Sequence, residues 1–253
     1  MTMHVHLARV TLPLLICAGL LQAADAQQSD RFRLSANEIV TNLVRRNLER
    51  EQALGAYHST RTYRLDYHGF PGSRSAEMVV DVTYQRPGTK DFTVRSEKGS
   101  KLIIERVFRR LLQSEKEALS QDNQSRVALN EENYSFTLLG YESTQSGSCY
   151  VLSVEPRTKN KLLYRGRIWV NARDFAVTRI EGVPAKNPSF WTKETKVEQV
   201  YAKVGDFWLP ISNRSTSAIR LGGHAYFTLD YGTYQITATT PVHPPANHIA
   251  GYR

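Results

Sequence analysis

The sequence predicts an α+β protein, an open and unclosed antiparallel β-barrel of about 11 strands with helices lidding its concave apolar side. The order of the elements is one helix, about three strands, a second helix and about eight strands. Gly, Pro, Asn and Asp separate the strand patterns at short intervals, as is typical of hairpins. Several strands carry aromatic residues on both faces. This favours a curved sheet around an apolar space over a flat two-sheet sandwich, which remains the alternative.

Two segments have the periodicity of amphipathic helices. The first is predicted to begin at a capping box, Ser35 to Glu38, and to end near Gly55. Its buried stripe comprises Ile39, Val40, Leu43, Val44 and Leu48. The second helix is predicted over Lys101–Leu119, with a stripe of Ile103, Ile104, Val107, Phe108, Leu111 and Leu112. This second helix either closes the mouth of the barrel or covers a face or edge of the sheet.

The remaining segments alternate as strands do. Two long strands are predicted over Tyr57–Tyr67 and around Met78–Tyr84, and a short strand begins at Phe92. The later strands are predicted at Tyr134–Tyr141, Cys149–Val154, Leu162–Val170, Phe175–Glu181, Thr195–Val204, Phe207–Ile211, Asn213–Ile219 and Ala225–Ile236.

The N-terminus has the pattern of an export signal. A weakly basic segment precedes the apolar run Val10–Leu21, and Ala24-Asp25-Ala26 matches a small-residue cleavage site. We therefore predict a cleavable signal peptide over residues 1–26 and a mature chain that begins at Gln27. A retained N-terminal anchor is the alternative, although the run is short for a membrane span. The Pro-rich residues 240–253 are predicted to be a flexible tail, which leaves 27–239 as one domain.

Charge and cysteine content narrow the class of partner. The formal net charge is +9, which attracts anionic membranes, lipid head groups or polyanions, although a solvated basic surface accounts for it equally well. We expect no nucleic-acid partner, because an exported protein leaves the compartment of nucleic acids and the sequence has no recognised nucleic-acid-binding motif. Cys149 is the one cysteine of the predicted mature chain, so no internal disulfide is expected. Its place at the start of a strand pattern indicates a buried structural thiol.

Sequence motifs for catalysis and metal binding are missing. His58 and His68 lie on one predicted strand, too far apart to share a metal ion. No zinc-protease, CxxC or nucleophile-elbow pattern occurs. We therefore predict that the protein is not an enzyme and has no cofactor and no metal. A hydrolase would require His58 or His68 to lie beside a carboxylate and a nucleophile.

A succession of hairpin motifs resembles a known family. It begins with NYSFTLLG at Asn133–Gly140 and CYVLSVEP at Cys149–Pro156, and continues with YRGRIWVNARDFAVTRIEG from Tyr164 and YAKVGDFWLP up to Pro210. These segments resemble the outer-membrane lipoprotein-sorting proteins, the LolA carriers and the wider LolA-like superfamily. The resemblance covers nearly all of the predicted mature chain in element order and is strongest over Tyr134–Pro210.

The resemblance implies a periplasmic carrier or chaperone. Such a carrier binds the acyl chains of lipoproteins or lipids in a hydrophobic cavity under a helical lid and shuttles them toward the outer membrane. The implied partners are an inner-membrane transporter as donor and an outer-membrane receptor as acceptor, and we expect a monomer. Superfamily members also serve as sensors that bind an envelope stress regulator, which is the alternative function. The functional arginine of the classical carrier has no clear counterpart; Arg61 and Arg64 are the candidates.

The residues expected to line the cavity and its lid are apolar and aromatic. The stripe of the second helix would form the lid and the stripe of the first helix the floor. Aromatic residues near strand ends can rim such a cavity or pack in the core. The candidate ligand-binding residues are Ile39, Leu43, Ile104, Val107, Phe108, Leu111, Trp169, Phe190, Trp191 and Trp208.

Overall fold

The computed structural model of the chain describes residues 34–119, 121–187, 189, 192–220 and 222–239. From Ala36 onward these residues belong to one compact unit. The predicted signal peptide and the predicted tail lie outside the described residues, as do Phe190 and Trp191. Within the described part of the chain, no helix combines the length and the apolar character needed to cross a membrane.

The helices of the described residues occupy two places in the chain. Helix α1 precedes the first strand and begins one residue after Ser35, as the capping box predicts. The second predicted helix is an α-helix interrupted by a π-helical turn, and a short helix follows it. The bounds are α1 Ala36–Ala53, α2 Lys101–Ile103, the π-helical turn Ile104–Phe108, α3 Arg109–Glu117 and α4 Gln121–Val127.

Within the described residues, eleven strands form one antiparallel sheet. They are β1 Leu54–His68, β2 Arg74–Gln85, β3 Thr89–Gly99, β4 Tyr134–Thr144, β5 Gly147–Pro156, β6 Tyr164–Asn171, β7 Val177–Pro184, β8 Thr192–Val204, β9 Phe207–Ile219, β10 His224–Tyr231 and β11 Gln235–Ala238. Their order is β3-β2-β1-β10-β9-β8-β7-β6-β5-β4, and β11 pairs with the start of β1. Strands β3 and β4 are the two edges and do not pair with each other, so the sheet is open, as predicted.

The division into strands differs from the sequence prediction at two places. Phe207–Ile219 is one continuous strand, because β8 and β10 pair with its two sides along most of its length. The predicted strand Ala225–Ile236 is divided instead. The chain leaves β10 at Tyr231, the amide of Gly232 donates to the carbonyl of Thr60 at 2.7 Å, and β11 then pairs with β1. A side chain at Gly232 would approach that carbonyl to 2.9 Å, so glycine suits this exit.

One half of the sheet has a concave face filled with side chains. We call this the filled half; it comprises β1, β2, β3, β10 and β11, and the interrupted helix 101–117 packs on it. Phe108 is fully buried there, with its ring 5.9 Å from that of Tyr63 and 6.4 Å from that of Phe227. Met78, Val80 and Val82 of β2 are buried in the same cluster. The stripe of the second helix therefore packs in a close-packed core.

Candidate functional site

An apolar cavity of about 400 Å³ lies over the other half of the sheet. Strands β4–β9 contribute most of its wall, α1 contributes one turn, and the segment that includes α4 contributes apolar residues. The lining residues are Asn47, Arg50, Ala118, Val127, Leu129, Tyr134, Val154, Leu162, Tyr164, Ile168, Ala176, Val177, Ile180, Gln199, Tyr201 and Trp208. We call strands β4–β8 and α1 the hollow half. The volume falls within the range of about 300–1,000 Å³ that small-molecule pockets occupy.

Strand register brings the aliphatic residues of the cavity wall together. Ile168 of β6 lies opposite Ile180 of β7, and Ile180 lies opposite Gln199 of β8. Side chains alternate along a strand, so Tyr164 shares the face of Ile168 and Tyr201 shares the face of Gln199. The wall is therefore mostly apolar, with polar groups at a few positions, which is the usual composition of a lipid or small-molecule pocket.

Helix α1 places a cation in this wall. The Nη1 atom of Arg50 donates to the backbone carbonyl of Asp174 at 2.9 Å. Its Nη2 atom donates to the carbonyl of Phe175 at 3.0 Å and to Oδ1 of Asn47 at 2.7 Å. Burial lowers the pKa of Arg50, and the field of Asp174 opposes that shift. The guanidinium thus ties the last turns of α1 to the β6–β7 turn through neutral acceptors.

The β6–β7 turn also fixes the orientation of Trp208. Oδ2 of Asp174 accepts a hydrogen bond from Nε1 of Trp208 at 2.9 Å and one from Nζ of Lys203 at 2.7 Å. Burial tends to raise the pKa of this carboxyl, but these two donors outweigh it and hold the pKa below its usual value. Trp208 therefore presents its ring to the cavity while its polar edge is satisfied.

Three tyrosines contribute the phenolic groups of the cavity. Burial raises the pKa of Tyr134, Tyr164 and Tyr201, so all three are neutral at physiological pH. The hydroxyl of Tyr134 accepts a hydrogen bond from the amide of Tyr164 at 3.2 Å. Among the described residues, the hydroxyls of Tyr164 and Tyr201 have no hydrogen-bond partner.

The filled half contains a buried ion cluster. Arg61 has 2% of its side chain exposed, and its Nη1 atom donates to both carboxylate oxygens of Glu115 at 2.9 Å. Nζ of Lys90 donates to the same carboxylate at 2.7 Å, and the ring of Tyr231 lies 4.8 Å from the Arg61 guanidinium carbon. Burial alone would lower the pKa of Arg61. The carboxylate of Glu115 and the neighbouring tyrosines raise that pKa by more than burial lowers it, so the net shift is upward. This cluster joins α3 to β1 and β3.

The two candidate arginines of β1 therefore lie on opposite faces of the sheet. Arg61 shares the concave face with Tyr63 and pairs with the helix. Arg64 lies on the other face, where 47% of its side chain is exposed and where it pairs with Glu77 and Asp230. Neither arginine lines the cavity.

The structure brings one of the predicted ligand-binding residues, Trp208, to the cavity wall. Ile39 and Leu43 are fully buried on α1, and Ile104 and Phe108 are buried in the filled half. Val107 packs against that filled core, and Leu111 has 40% of its side chain exposed. Phe190 and Trp191 lie outside the described residues. A ligand-binding role for these residues stays a prediction.

Trp169 lies on the face of the sheet opposite the cavity, since it neighbours Ile168 on β6. It is 5% exposed and is buried with Cys149 and Val151. Its Nε1 atom donates to Glu142 at 2.9 Å, and Arg167 and Arg179 lie over its ring at 5.2 Å and 5.0 Å. Cys149 is a buried free thiol, as predicted.

Sequence reasoning missed most of the cavity wall, including Arg50, Tyr164 and Tyr201. The strand alternation around Ile168 and Ile180 was visible, but alternation does not say which part of a curved face a helix covers. The polar residues at the C-terminal end of α1, Asn47 and Arg50, were the available signal. They interrupt the apolar stripe on the side of the helix that faces the sheet.

Each of the two histidines of β1 lies beside a hydroxyl group. Nδ1 of His58 lies 3.2 Å from the hydroxyl of Thr83, and Nδ1 of His68 lies 3.3 Å from that of Ser73. Within the described part of the chain, no group of three or more His, Cys, Asp or Glu residues could hold a metal ion.

A second, more open hollow of about 580 Å³ lies over β6–β9. Three of its charged residues are paired: Arg167 with Glu181 at 2.9 Å, and Glu198 with the neighbouring Arg179 at 2.8 Å. The first cavity is less open and more apolar, and is therefore the stronger candidate for a binding site.

The fold and cavity define a class of protein, an open antiparallel sheet with an apolar cavity, and similar solved structures carry the family name expected from the sequence. A domain described as a candidate outer membrane lipoprotein-sorting protein from Vibrio parahaemolyticus is 12% identical, with a TM-score of 0.41 over 81% of this chain and 95% of that chain. A LolA superfamily protein from Nitrosomonas europaea is 12% identical, with a TM-score of 0.35 over 81% and 94%.

A third similar structure is the MucA/MucB complex of Pseudomonas aeruginosa, at 9% identity and a TM-score of 0.27 over 78% of this chain and 94% of that chain. No family model and no curated protein matches the sequence. Likeness at these TM-scores does not establish a shared function, so the function has to be argued from the contacts of this chain.

Proposed function

We propose that the protein is a periplasmic carrier that binds the acyl chain of a lipid or lipoprotein in the apolar cavity. The observation that carries this proposal is the half-open, mostly apolar cavity of about 400 Å³ between α1 and strands β5–β8. Apolar contacts are non-directional, so a chain can slide between similar pockets without specific bonds being broken. The role is binding and transfer, with no chemical step.

Export and hand-over belong to the same proposal. The signal-peptide pattern of residues 1–26 would deliver the chain to the periplasm. An inner-membrane transporter would load the cavity and an outer-membrane receptor would empty it. The basic charge of +9 would favour contact with anionic membrane surfaces during both steps.

The experiment that tests the proposal is native mass spectrometry of the protein purified from the periplasm without detergent, followed by organic extraction. A co-purifying acylated species is expected. Ile180→Trp adds volume to the cavity wall and should remove that species, because the added ring occupies its space. Leu48→Trp, at a position on α1 that is 54% exposed, is the matched control and should retain it.

A second candidate function is an interaction module that binds an envelope stress regulator. The filled half favours it, because Phe108 and Tyr63 leave no space there for a ligand. A protein that is purified without lipid, and stays so after incubation with phospholipid or a lipopeptide, would contradict the carrier and support this module.

A further inference from the structure

The cavity wall contains a cation without a carboxylate partner. The three hydrogen bonds of Arg50 go to two backbone carbonyls and one side-chain amide. Among the described residues, no carboxylate oxygen lies within ion-pair distance of its guanidinium. The nearby carboxylate of Asp174 is bound to Lys203 and Trp208. This differs from Arg61 in the filled half, which Glu115 neutralises directly.

Such a cation is prepared to receive an anion. Arg50 is half-buried, its hydrogen bonds go to neutral acceptors, and the carboxylates of Asp174 and Glu49 act on it only from a distance, so an incoming carboxylate or phosphate would be its direct charged partner. A guanidinium has five N–H donors, of which Arg50 uses three in these bonds, so two are left for a ligand. These bonds also hold the guanidinium in place before the ligand arrives, which lowers the entropy lost on binding.

Two neutral hydroxyls lie in the same wall. Tyr164 and Tyr201 have no hydrogen-bond partner among the described residues, and both line the cavity. A ligand oxygen in the cavity would accept a hydrogen bond from each of these hydroxyls. The cavity therefore offers a charged donor and two neutral donors in an otherwise apolar surface.

The cavity is half open, and its volume favours a single chain within it. A methylene group occupies a volume on the order of the 30 Å³ that a water molecule takes in the liquid. The cavity of about 400 Å³ thus holds roughly one chain of 12 to 16 carbons. Two chains of that length would need about twice the space, and a triacylated lipoprotein anchor about three times.

We propose that the ligand is a single-chain anionic amphiphile, of which a long-chain fatty acid is the simplest, with its acidic group at Arg50. The chain lies against Val154, Ile168 and Ile180, and Tyr164 and Tyr201 supply donors to the oxygens of the ligand. This inference rests on the proposed function, because it names the ligand of the same cavity. The expected cargo is therefore a single-chain lipid and not the multi-chain anchor of a lipoprotein.

The test compares four ligands on the wild-type protein by displacement of a fluorescent fatty-acid probe. Palmitate and lysophosphatidic acid each carry one chain and a negative charge. Methyl palmitate has one chain and no charge, and dipalmitoyl phosphatidic acid has two chains and a charge. We expect the two single-chain anions to bind at least about tenfold more tightly than the ester, as a hydrogen-bonded charge predicts, and the diacyl lipid to bind most weakly among the anions.

The variant Arg50→Gln locates the anion. It should reduce the preference for palmitate over methyl palmitate to about twofold or less, since an amide keeps the chain pocket but lacks the charge. Arg46→Gln is the matched control, because Arg46 lies on the same helix, pairs with Glu49 and does not line the cavity. It should keep the wild-type preference. The melting temperature of each variant shows that it is folded.

Three results would overturn the inference and leave the carrier in place: equal wild-type affinity for palmitate and its methyl ester, an unchanged preference in Arg50→Gln, or diacyl binding as tight as single-chain binding. If the wild-type protein binds none of the four ligands, the proposed function itself is overturned. The ligand comparison uses only the wild-type protein, so it tests the preference for single-chain anions even if Arg50→Gln does not fold.

Discussion

The concave face of this sheet is filled on one side and hollow on the other, although both sides are built from the same kind of hairpin. In the filled half, the interrupted helix inserts Phe108 between Tyr63 and Phe227. In the hollow half, the end of α1 offers Asn47 and Arg50, whose polar groups bond to each other and to a turn. The comparison teaches that the side chains a helix presents to the sheet decide whether a space remains.

Removing a large side chain should give the largest difference in stability between variants of the two halves. Phe108→Ala should lower the free energy of unfolding by about 3–5 kcal/mol, because it leaves a cavity in a close-packed cluster. Ile180→Ala should cost less, about 1–2 kcal/mol, since its side chain already faces open space. Urea denaturation of both variants measures the difference. Equal losses would mean that the hollow half is closed in solution.

The ion cluster of the filled half should be the next most sensitive feature. Glu115→Gln leaves Arg61 buried without a charged partner. Because 30% of the Glu115 side chain is exposed, the expected loss is about 2–3 kcal/mol, below that of a fully buried pair. Chemical denaturation at neutral pH measures it. A loss below about 0.5 kcal/mol would show that the pair contributes no more than a surface ion pair.

The same pair predicts a dependence of stability on pH. Burial tends to raise the pKa of Glu115, but Arg61 and Lys90 outweigh it and the pKa lies below 4.5, the value for an unperturbed Glu. A lowered folded-state pKa contributes stability above the unfolded pKa that is lost as the pH falls through the folded one. The wild-type protein should therefore lose this part of its stability below about pH 4.5. Glu115→Gln should show a smaller loss over that range, which unfolding curves at several pH values would check.

Adding volume should have opposite consequences in the two halves. Val80 is fully buried in the filled half, so Val80→Phe should cost about 1–3 kcal/mol through overpacking. Val177 lines the cavity, so Val177→Phe should change stability by less than about 1 kcal/mol while it weakens binding of a fatty-acid probe. Melting curves and probe titrations on the pair give both readouts. Strong destabilisation by Val177→Phe would contradict the open cavity.

The smallest effect is expected on the face opposite the concave one. Arg64 forms two ion pairs, but it is 47% exposed, so Arg64→Met should change the free energy of unfolding by less than about 1 kcal/mol. Arg61→Met, three residues earlier on the same strand, serves as the buried comparison and should cost more. A larger effect at Arg64 would mean that the charges of this face act as a cooperative network.

Much of the fold could be predicted from the sequence because it depends on local signals. The capping box placed the start of α1, and alternation with turn residues placed most strands of the open sheet. The break after Tyr231 was missed because a tertiary contact, the hydrogen bond from Gly232 to Thr60, determines it. Alternation alone gave no sign that the chain would leave one strand partner for another.

The candidate site was harder to predict. The dense stripe that contains Phe108 predicts a buried helix face, and the structure buries Phe108 against Tyr63, while its role as a lid stays a prediction. The cavity lies instead beside Arg50 and Trp208, which approach each other through the turn at Asp174. A stripe shows that a helix is buried, but the space beside it depends on distant side chains that only the folded structure brings together.

The central claim is that the ligand occupies the hollow half and leaves the filled half unchanged. The most direct measurement is an NMR titration of the isoleucine methyl groups with palmitate. Ile168 and Ile180 line the cavity, whereas Ile103 and Ile104 are buried in the filled half. The account predicts shifts at Ile168 and Ile180 and none at Ile103 and Ile104. Shifts confined to Ile103 and Ile104, or no shifts at saturating palmitate, would contradict it.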